Sequence, residues 1–158
     1  MITKDYVFFW GGTFSQWAPS EFIIDGVKYV TAEQYMMAKK ALLFKDQESY
    51  ESIMRTSDPR TQKAFGRKVK GFNADVWNVI CRDVVYQANL AKFTQNPKML
   101  EELMATQDRE IVEASPEDKI WGIGLHETDP RVHDKSKWEG TNWLGEAIMK
   151  VRTELKNK

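Results

Sequence analysis

The chain has 158 residues, of which 42% are hydrophobic, 12% aromatic and 29% charged. This composition is typical of a globular protein and excludes an intrinsically disordered chain, and the length predicts a single domain over residues 1–158. The 23 basic and 23 acidic residues cancel, which excludes binding to duplex DNA through overall charge alone. A local pocket for one phosphate needs only a few basic groups, so the net charge of the chain does not exclude such a pocket.

Residues 1–10, MITKDYVFFW, contain no apolar segment followed by a small-residue cleavage site, as a secretory signal peptide would. No apolar run approaches the roughly 18 residues of a membrane-spanning helix. Cys81 is the only cysteine, so no internal disulfide can form, in keeping with a reducing compartment. We therefore expect a cytoplasmic protein with no membrane association.

Residues 6–10, YVFFW, form a short apolar run that predicts a strand, and a flexible Gly-rich loop follows it. Asp25-Gly26 separates two further strand-like segments. This pair suits a type I′ turn, because both of its central positions need a positive φ. The sequence therefore predicts a β-hairpin over residues 21–30.

Helical signals dominate the middle of the chain. Thr31 and Gln34 have the spacing of a capping box, which predicts a helix over residues 32–44. Further helices are predicted to begin at Asp46, Asp58-Pro59, Asn73 and Asn96-Pro97. The longest, over residues 74–93, carries an apolar stripe made of Val76, Trp77, Ile80, Val84 and Ala88.

Residues 110–114 and 120–125 look extended, and Thr141 is predicted to cap a last helix with Leu144, Ile148, Val151 and Leu155 on one side. Helices and strands are thus segregated along the chain instead of alternating. This order predicts an α+β fold, mostly helical, with a small sheet.

The first candidate site lies on the helix after the hairpin. Glu33 and Lys40 are seven residues apart, two helical turns, so both project from one face with Met37 between them. They are candidates to line one cleft. The alternative is that Glu33 only complements the helix dipole and that Lys40 is a solvated surface residue.

The second candidate is E-A-S-P-E-D-K-I-W-G-I-G-L at residues 113–125, which brings Glu113, Asp118 and Trp121 around a turn before Gly122. An indole offers a flat surface for a base, and glycine permits a ligand to approach the backbone. The alternative is a buried tryptophan in a strand. W-G-I-G-L lacks the spacing of a dinucleotide-binding loop, so no nucleotide cofactor is predicted.

Arg67, after Gly66, is a third candidate, because a guanidinium binds phosphate through two parallel hydrogen bonds. The residues alone favour a simpler role, a cation that offsets the dipole at a helix C-terminus. His126 and His133 lack the spacing of a zinc site, and Cys81 lies within the apolar stripe, where a thiol is usually inert. No metal and no cofactor are predicted.

A set of segments in this order resembles the YbiA-like or NADAR family and spans nearly the whole chain: F-W at 9–10, F-S-Q-W at 14–17, D-G-x-x-Y-x-x-A-E-Q-Y-M-M-A-K-K at 25–40, G-R at 66–67, Trp77, A-K-F at 91–93, E-A-S-P-E-D-K-I-W-G-I-G-L at 113–125 and T-N-W-L-G-x-x-I-M-x-V-R at 141–152. No single segment is very specific; their number and order carry the resemblance.

The resemblance implies an N-glycosidase. Some members of the family hydrolyse phosphoribosylamino-pyrimidine intermediates of riboflavin synthesis, and others remove ADP-ribose from guanine, so the partner is a ribosyl phosphate, an ADP-ribose-type ligand or ADP-ribosylated nucleic acid. It implies Glu33 and Lys40 as catalytic residues. By position it also implies Trp77, Trp121 and Asn142 as substrate-binding residues, and the candidate segments add Trp10, Ser15, Arg67, Glu113, Asp118 and Gly122 as further substrate-binding candidates.

Three positions depart from the family pattern. Gln34 stands where the family usually has His, Gln16 replaces an Asn, and Met37 replaces a common Gln. The reaction class is unaffected, whereas the preference for a particular base is not carried over. Two alternatives to an enzyme stay open: a module that binds ADP-ribose or a nucleotide without hydrolysing it, which needs neither Glu33 nor Lys40, and a structural domain that binds a partner protein.

Overall fold

A computed structural model describes the chain from Met1 to Lys158 as two compact units. One unit comprises residues 16–96. The other combines residues 1–15 with residues 97–158. No helix in either unit has both the length and the apolar composition needed to cross a bilayer.

The unit formed by residues 16–96 begins with the predicted hairpin. The strands are numbered in order along the whole chain, and in this unit β2 (Phe22–Ile24) pairs antiparallel with β3 (Val27–Tyr29). Asp25 and Gly26 have φ values of 51° and 79°. Both turn positions therefore have the positive φ that an Asp-Gly type I′ turn requires, and the prediction is confirmed.

Four helices follow: α1 (Ala32–Leu43), α2 (Gln47–Arg55), α3 (Pro59–Arg67) and α4 (Ala74–Gln95). Each begins at the predicted cap, where the side chain of Thr31, Asp46, Asp58 or Asn73 accepts a hydrogen bond from a backbone N–H of the first turn. Helix α1 packs against the other three. Every residue from Ala32 to Ala38 is buried, so this helix is the centre of the unit.

The other unit contains β1 (Tyr6–Phe9), which pairs in parallel with β4 (Glu110–Glu113), and the helices α5 (Pro97–Ala105) and α6 (Trp143–Lys156). Two short 3-10 helices, Pro130–His133 and Lys135–Lys137, lie between β4 and α6. The core beside this strand pair is made of Phe8, Val112, Ala114, Ile123, Leu125 and Val132. The α+β class with a predominance of helix is thus confirmed, with two separate two-stranded sheets instead of one.

Two predicted elements are wrong. Residues 120–125 are not a strand, because Asp118 Oδ1 accepts the backbone N–H of Ile120 at 2.9 Å and of Trp121 at 2.8 Å, and Gly124 has a φ of 72°. These bonds turn the backbone away from an extended path. Thr141 does not cap α6: its hydroxyl is bonded to the carbonyl of Ile120, and Asn142 occupies the cap position in a left-handed conformation, φ 52°.

The apolar stripe of α4 is also narrower than predicted. Trp77, Val84 and Ala88 are buried, but Val76 is 45% exposed. Positions 76 and 77 lie about 100° apart around the helix, so only one of them can point to the centre of the buried face. In α6, Leu144, Ile148 and Val151 are buried as predicted.

Candidate functional site

Helix α1 carries the two predicted catalytic residues. It is unbroken from Ala32 to Leu43, so Glu33 and Lys40 lie on one face, two turns apart. The side chain of Glu33 is 6% exposed, and its backbone N–H donates to the carbonyl of Gln16 at 3.0 Å. Lys40 is half-buried. The burial of Glu33 does not separate a catalytic role from the alternative, in which its charge complements the helix dipole.

The pKa of Lys40 is lowered, mainly because burial penalises the ammonium form. The negative charge of Glu33 opposes this effect, and the positive charge of Arg67 adds to it. The three groups therefore act on one another electrostatically. A lowered pKa increases the fraction of free amine, the form of lysine that acts as a nucleophile.

Gly66 explains how Arg67 comes to act on α1. A Cβ atom built at Gly66 would collide with the Sδ of Met37 and lie 2.8 Å from its Cγ. Met37 stands between Glu33 and Lys40 on α1. Only glycine lets the end of α3 approach this closely, and the exposed Arg67 is the next residue along the chain.

An aromatic ring lies directly beside the Lys40 amine. Lys40 Nζ lies 4.5 Å from the centroid of the Phe72 ring, which itself packs edge-on against Phe44 at 5.4 Å. Phe72 is 45% exposed. The ring attracts the charged form of the lysine, so it opposes the effect of burial.

Gln16 and Asn89 link the loop before the hairpin to α4. Asn89 Nδ2 donates to Gln16 Oε1 and to the carbonyl of Val85, both at 2.9 Å. These two bonds fix the orientation of the Asn89 amide. The Asn89 Oδ1 and the Gln16 Nε2 are buried without a hydrogen-bond partner. Asn89 can therefore accept, and Gln16 can donate, one further hydrogen bond.

Trp77, the other predicted site residue on α4, is 7% exposed and forms part of the core of its unit. Cys81, one turn further, is buried, and burial raises the pKa of its thiol. The prediction that this cysteine is an inert core residue agrees with its environment.

In the other unit, Asn142 joins the start of α6 to strand β4. Its Oδ1 accepts the N–H of Glu113 at 3.0 Å, and its Nδ2 donates to the carbonyl of Ile111 at 3.0 Å. The side chain is 2% exposed. Both amide atoms are thus engaged in holding the strand end that carries Glu113.

The turn before α6 places Trp121 beside Glu113. Gly122 lies so close to this strand end that an added Cβ would be 2.8 Å from the carbonyl of Glu113. Asp118 holds the N–H of Trp121, and the half-buried indole of Trp121 packs edge-on against that of Trp143 at 5.8 Å. The alternative, a buried tryptophan in a strand, does not describe Trp121, because its indole is half-buried and lies in a turn.

Trp10 and Ser15 follow strand β1. Trp10 directly follows the last residue of β1 and therefore lies at the same end of the strand pair as Glu113, because Phe9 and Glu113 are paired in the parallel register. Its ring is 52% exposed and packs edge-on against His126 at 5.7 Å. Ser15 is half-buried, with its N–H bonded to the carbonyl of Gly12.

The predicted residues thus form two groups. The unit of residues 16–96 contains Glu33, Lys40, Arg67 and Trp77, and the other unit contains Trp10, Ser15, Glu113, Asp118, Trp121, Gly122 and Asn142. No group of three or more His, Cys, Asp or Glu side chains is arranged to hold a metal ion.

Sequence reasoning assigned no role to Phe72, Asn89 or Lys92. Lys92 follows Ala88 by one turn and therefore continues the buried stripe of α4, a signal present in the sequence. The contact of Phe72 with Lys40 joins two distant segments, and no local pattern reports it.

Comparisons with known proteins show the family to which the chain belongs. Residues 8–156 match the NADAR domain family. The chain is 44% identical over 167 residues to N-glycosidase R617 of Acanthamoeba polyphaga mimivirus, and the match covers 98% of each protein. It is 31% identical over 144 residues to N-glycosidase YbiA of Escherichia coli K12, covering 91% of this chain and 81% of that protein. The NMR structure of E. coli YbiA matches with a TM-score of 0.80 at 27% identity, over 99% of this chain and 88% of YbiA.

The contact between Lys40 and Phe72 predicts the reactivity of the amine. Phe72→Leu removes the ring that favours the ammonium form, so Lys40 should react about two- to five-fold faster with a limiting acylating reagent near pH 8. Mass spectrometry of the labelled peptides measures the rate, with Lys39 as the internal reference. Phe72→Tyr keeps a ring and should behave as the parent; equal acceleration in both variants would contradict the role of the ring.

Proposed function

Because the chain belongs to the NADAR domain family, we propose that it hydrolyses the C–N glycosidic bond between a phosphorylated ribosyl group and a base or amine. The relatives that support this reaction are named N-glycosidases, and one of them is 44% identical over nearly the full length of both chains. The chain is thus an enzyme, a hydrolase of N-glycosyl bonds. Its proposed substrate is either ADP-ribosylated guanine or a phosphoribosylamino-pyrimidine intermediate.

The observation that carries the proposal is the pairing of a buried carboxylate with a partly accessible amine on one face of α1. Glu33 is 6% exposed, and the pKa of Lys40 is lowered by burial. A module that only binds ADP-ribose needs neither feature. Both are what N-glycoside hydrolysis needs, since the enzyme must stabilise a cationic sugar and move protons.

Breaking the C1′–N bond leaves positive charge on the ribose, and the departing nitrogen takes the bonding electrons and a proton. The carboxylate of Glu33 stabilises the oxocarbenium-like sugar and accepts a proton from the attacking water. In the covalent route, the Lys40 amine instead attacks C1′ as the C1′–N bond to the base breaks, and Glu33 transfers the proton that the amine loses to the departing nitrogen. The ring then opens to an imine while O4′ gains a proton, and water hydrolyses this Schiff base to release the sugar and the lysine.

The residues of the other unit are proposed to bind substrate. Trp121 offers its half-buried indole as a stacking surface for a heterocycle. Gly122 leaves the backbone beside Glu113 open to a ligand, and Asp118 fixes the turn through the N–H of Trp121. Asn142, whose amide is engaged with β4, acts by positioning the Glu113 strand end.

Glu33→Gln should keep the fold and lose turnover. Glutamine retains the shape of the side chain but not the charge, and losing one well-placed acid–base or electrostatic group lowers the rate by about 10²- to 10⁴-fold. The assay follows release of guanine from an ADP-ribosylated oligonucleotide and of the amine from a phosphoribosylamino-pyrimidine. Glu51→Gln, on the exposed side of α2, is the matched control. Turnover by Glu33→Gln near the parent rate would remove Glu33 from the mechanism.

The covalent route predicts an adduct on Lys40. Borohydride added during turnover should reduce the imine to a stable secondary amine, and peptide mass spectrometry should find the sugar on Lys40 and not on the neighbouring Lys39. Lys40→Arg keeps a cation that cannot form an imine, so no adduct should appear there. Turnover by the parent with no adduct on Lys40 leaves direct attack by water as the route.

The stacking role of Trp121 predicts separate effects on affinity and stability. Trp121→Phe keeps a ring but shrinks its area, so affinity for ADP-ribose should weaken by several-fold while the melting temperature changes little. Trp143→Phe, the partner in the same edge contact, should alter stability without altering affinity. A large fall in melting temperature with unchanged affinity in Trp121→Phe would make Trp121 a core residue instead.

A further inference from the structure

Phe72 lies in the loop between α3 and α4, and its ring faces the amine of Lys40. Lys40 Nζ lies 4.5 Å from the ring centroid, closer than Lys39 Nζ lies to the ring of Tyr35, at 5.4 Å. Phe72 is also 45% exposed, so this residue borders both the amine and the solvent. A ligand that reaches the Lys40 amine therefore comes close to this ring.

The position of Phe72 is fixed by the backbone on both sides of it. The N–H of Lys70 donates to Asp46 Oδ2 at 2.9 Å, and the side chain of Asn73 accepts two N–H groups of the first turn of α4. Gly71 has a φ of 78°, a conformation that residues with a Cβ atom rarely adopt. The ring is thus held in place before a ligand arrives, as a group that stabilises developing charge must be.

The proposed covalent route brings C1′ of the ribose to this ring. In that route, the bond between Lys40 Nζ and C1′ forms as the bond from C1′ to the base breaks. The base leaves with the electron pair, and Glu33 transfers the proton that the amine loses to the departing nitrogen. A C–N single bond is about 1.5 Å long, so C1′ then lies no more than about 6 Å from the ring centroid, with Nζ 4.5 Å from it. Cation–π attraction extends to about 6 Å.

We propose that Phe72 is a further catalytic residue, whose ring stabilises the positive charge that develops on the ribose as the base departs. This inference rests on the proposed function, because it needs a ribosyl substrate that Lys40 attacks at C1′. The negative face of an aromatic ring attracts a cation and has no comparable attraction for the neutral sugar of the bound substrate. The ring therefore favours the transition state over the bound substrate, which is the condition for raising kcat.

The ring and the carboxylate of Glu33 have different tasks. Glu33 moves protons, whereas a phenyl ring attracts a cation without taking a proton from it. In the free protein the ring favours the ammonium form of Lys40, which cannot attack, while burial and Arg67 lower the pKa of that amine. Once the free amine attacks, positive charge returns beside the ring, now on the sugar. A second carboxylate in place of Phe72 would instead pair with Lys40 and hold it as an ammonium.

Two ribitol phosphates that cannot react test the ring without an assay of turnover. In 1,4-imino-ribitol 5-phosphate, a secondary ammonium replaces the ring oxygen and imitates the cationic sugar. In 1,4-anhydro-ribitol 5-phosphate, the ring keeps its oxygen and is neutral. Calorimetry gives the Kd of each compound. In Phe72→Leu, the preference of the protein for the cationic compound over the neutral one should fall by about 2- to 30-fold, the range of a cation–π contact.

Three control variants make the result specific. Phe72→Tyr keeps a ring and should keep the preference. Val79→Ala shortens an apolar side chain of α4 that is 82% exposed, and should leave both Kd values as in the parent. Lys40→Met removes the amine, and Phe72→Leu should reduce the preference in that background as well. A preference that stays as in the parent, whether or not both Kd values change, would overturn the inference. A parent that binds neither compound would remove the proposed function and the inference with it.

Turnover provides a second test, in which the size of the ring is nearly unchanged. Phenylalanine with one, two or five fluorine atoms, incorporated in place of Phe72, carries a progressively weaker negative face. The kcat, measured at a pH high enough for Lys40 to be uncharged in each variant, should fall stepwise along this series with KM little changed, because the ring acts on the transition state. A ring that only packs against Phe44 and Lys40 gives no such trend, and a kcat independent of fluorination would overturn the catalytic role.

Discussion

The first turn of α1 is buried although it is polar, and the unit of residues 16–96 is organised by the need to satisfy it. Thr31 donates to Gln62 at 2.6 Å and accepts from the N–H of Gln34 at 3.0 Å. The side chain of Gln34 accepts from Val30 and donates to the carbonyls of Ile53 and Thr56. Since an unpaired buried polar group is costly, these bonds fix the hairpin, α2 and α3 around the helix that carries Glu33.

The other unit is held by an equivalent arrangement at the start of α6. Asn142 adopts a left-handed conformation, so that its amide points at β4, where it bonds both Ile111 and Glu113. An added Cβ at Gly145 would collide with the carbonyl of Ile111, so glycine is what permits α6 to approach. The Asn and the Gly of the T-N-W-L-G segment are thus explained by the packing of a helix end against a strand, and their contribution to the site is the placement of Glu113.

Local signals in the sequence predicted the elements whose formation depends on neighbours in the chain. Asp25-Gly26 and the caps at Thr31, Asp46, Asp58 and Asn73 each act within a few residues, and each lies where it was predicted. Residues 120–125 have the composition of a strand, but the Asp118 side chain competes for their N–H groups. The charge environment of Lys40 depends on Arg67 of another helix, and no pattern within one helix reports such an interaction.

The balance of charges also shows why net charge says little about function here. With 23 basic and 23 acidic residues the chain has no overall field, yet α1 and its neighbours bring Glu33, Lys40 and Arg67 into mutual electrostatic range. Coulomb energies grow as the effective dielectric constant falls, so a few enclosed charges outweigh many solvated ones. Exposure then separates residues of the same type. Burial lowers the pKa of the half-buried Lys40, which is still partly exposed to solvent, whereas Lys92 is fully enclosed.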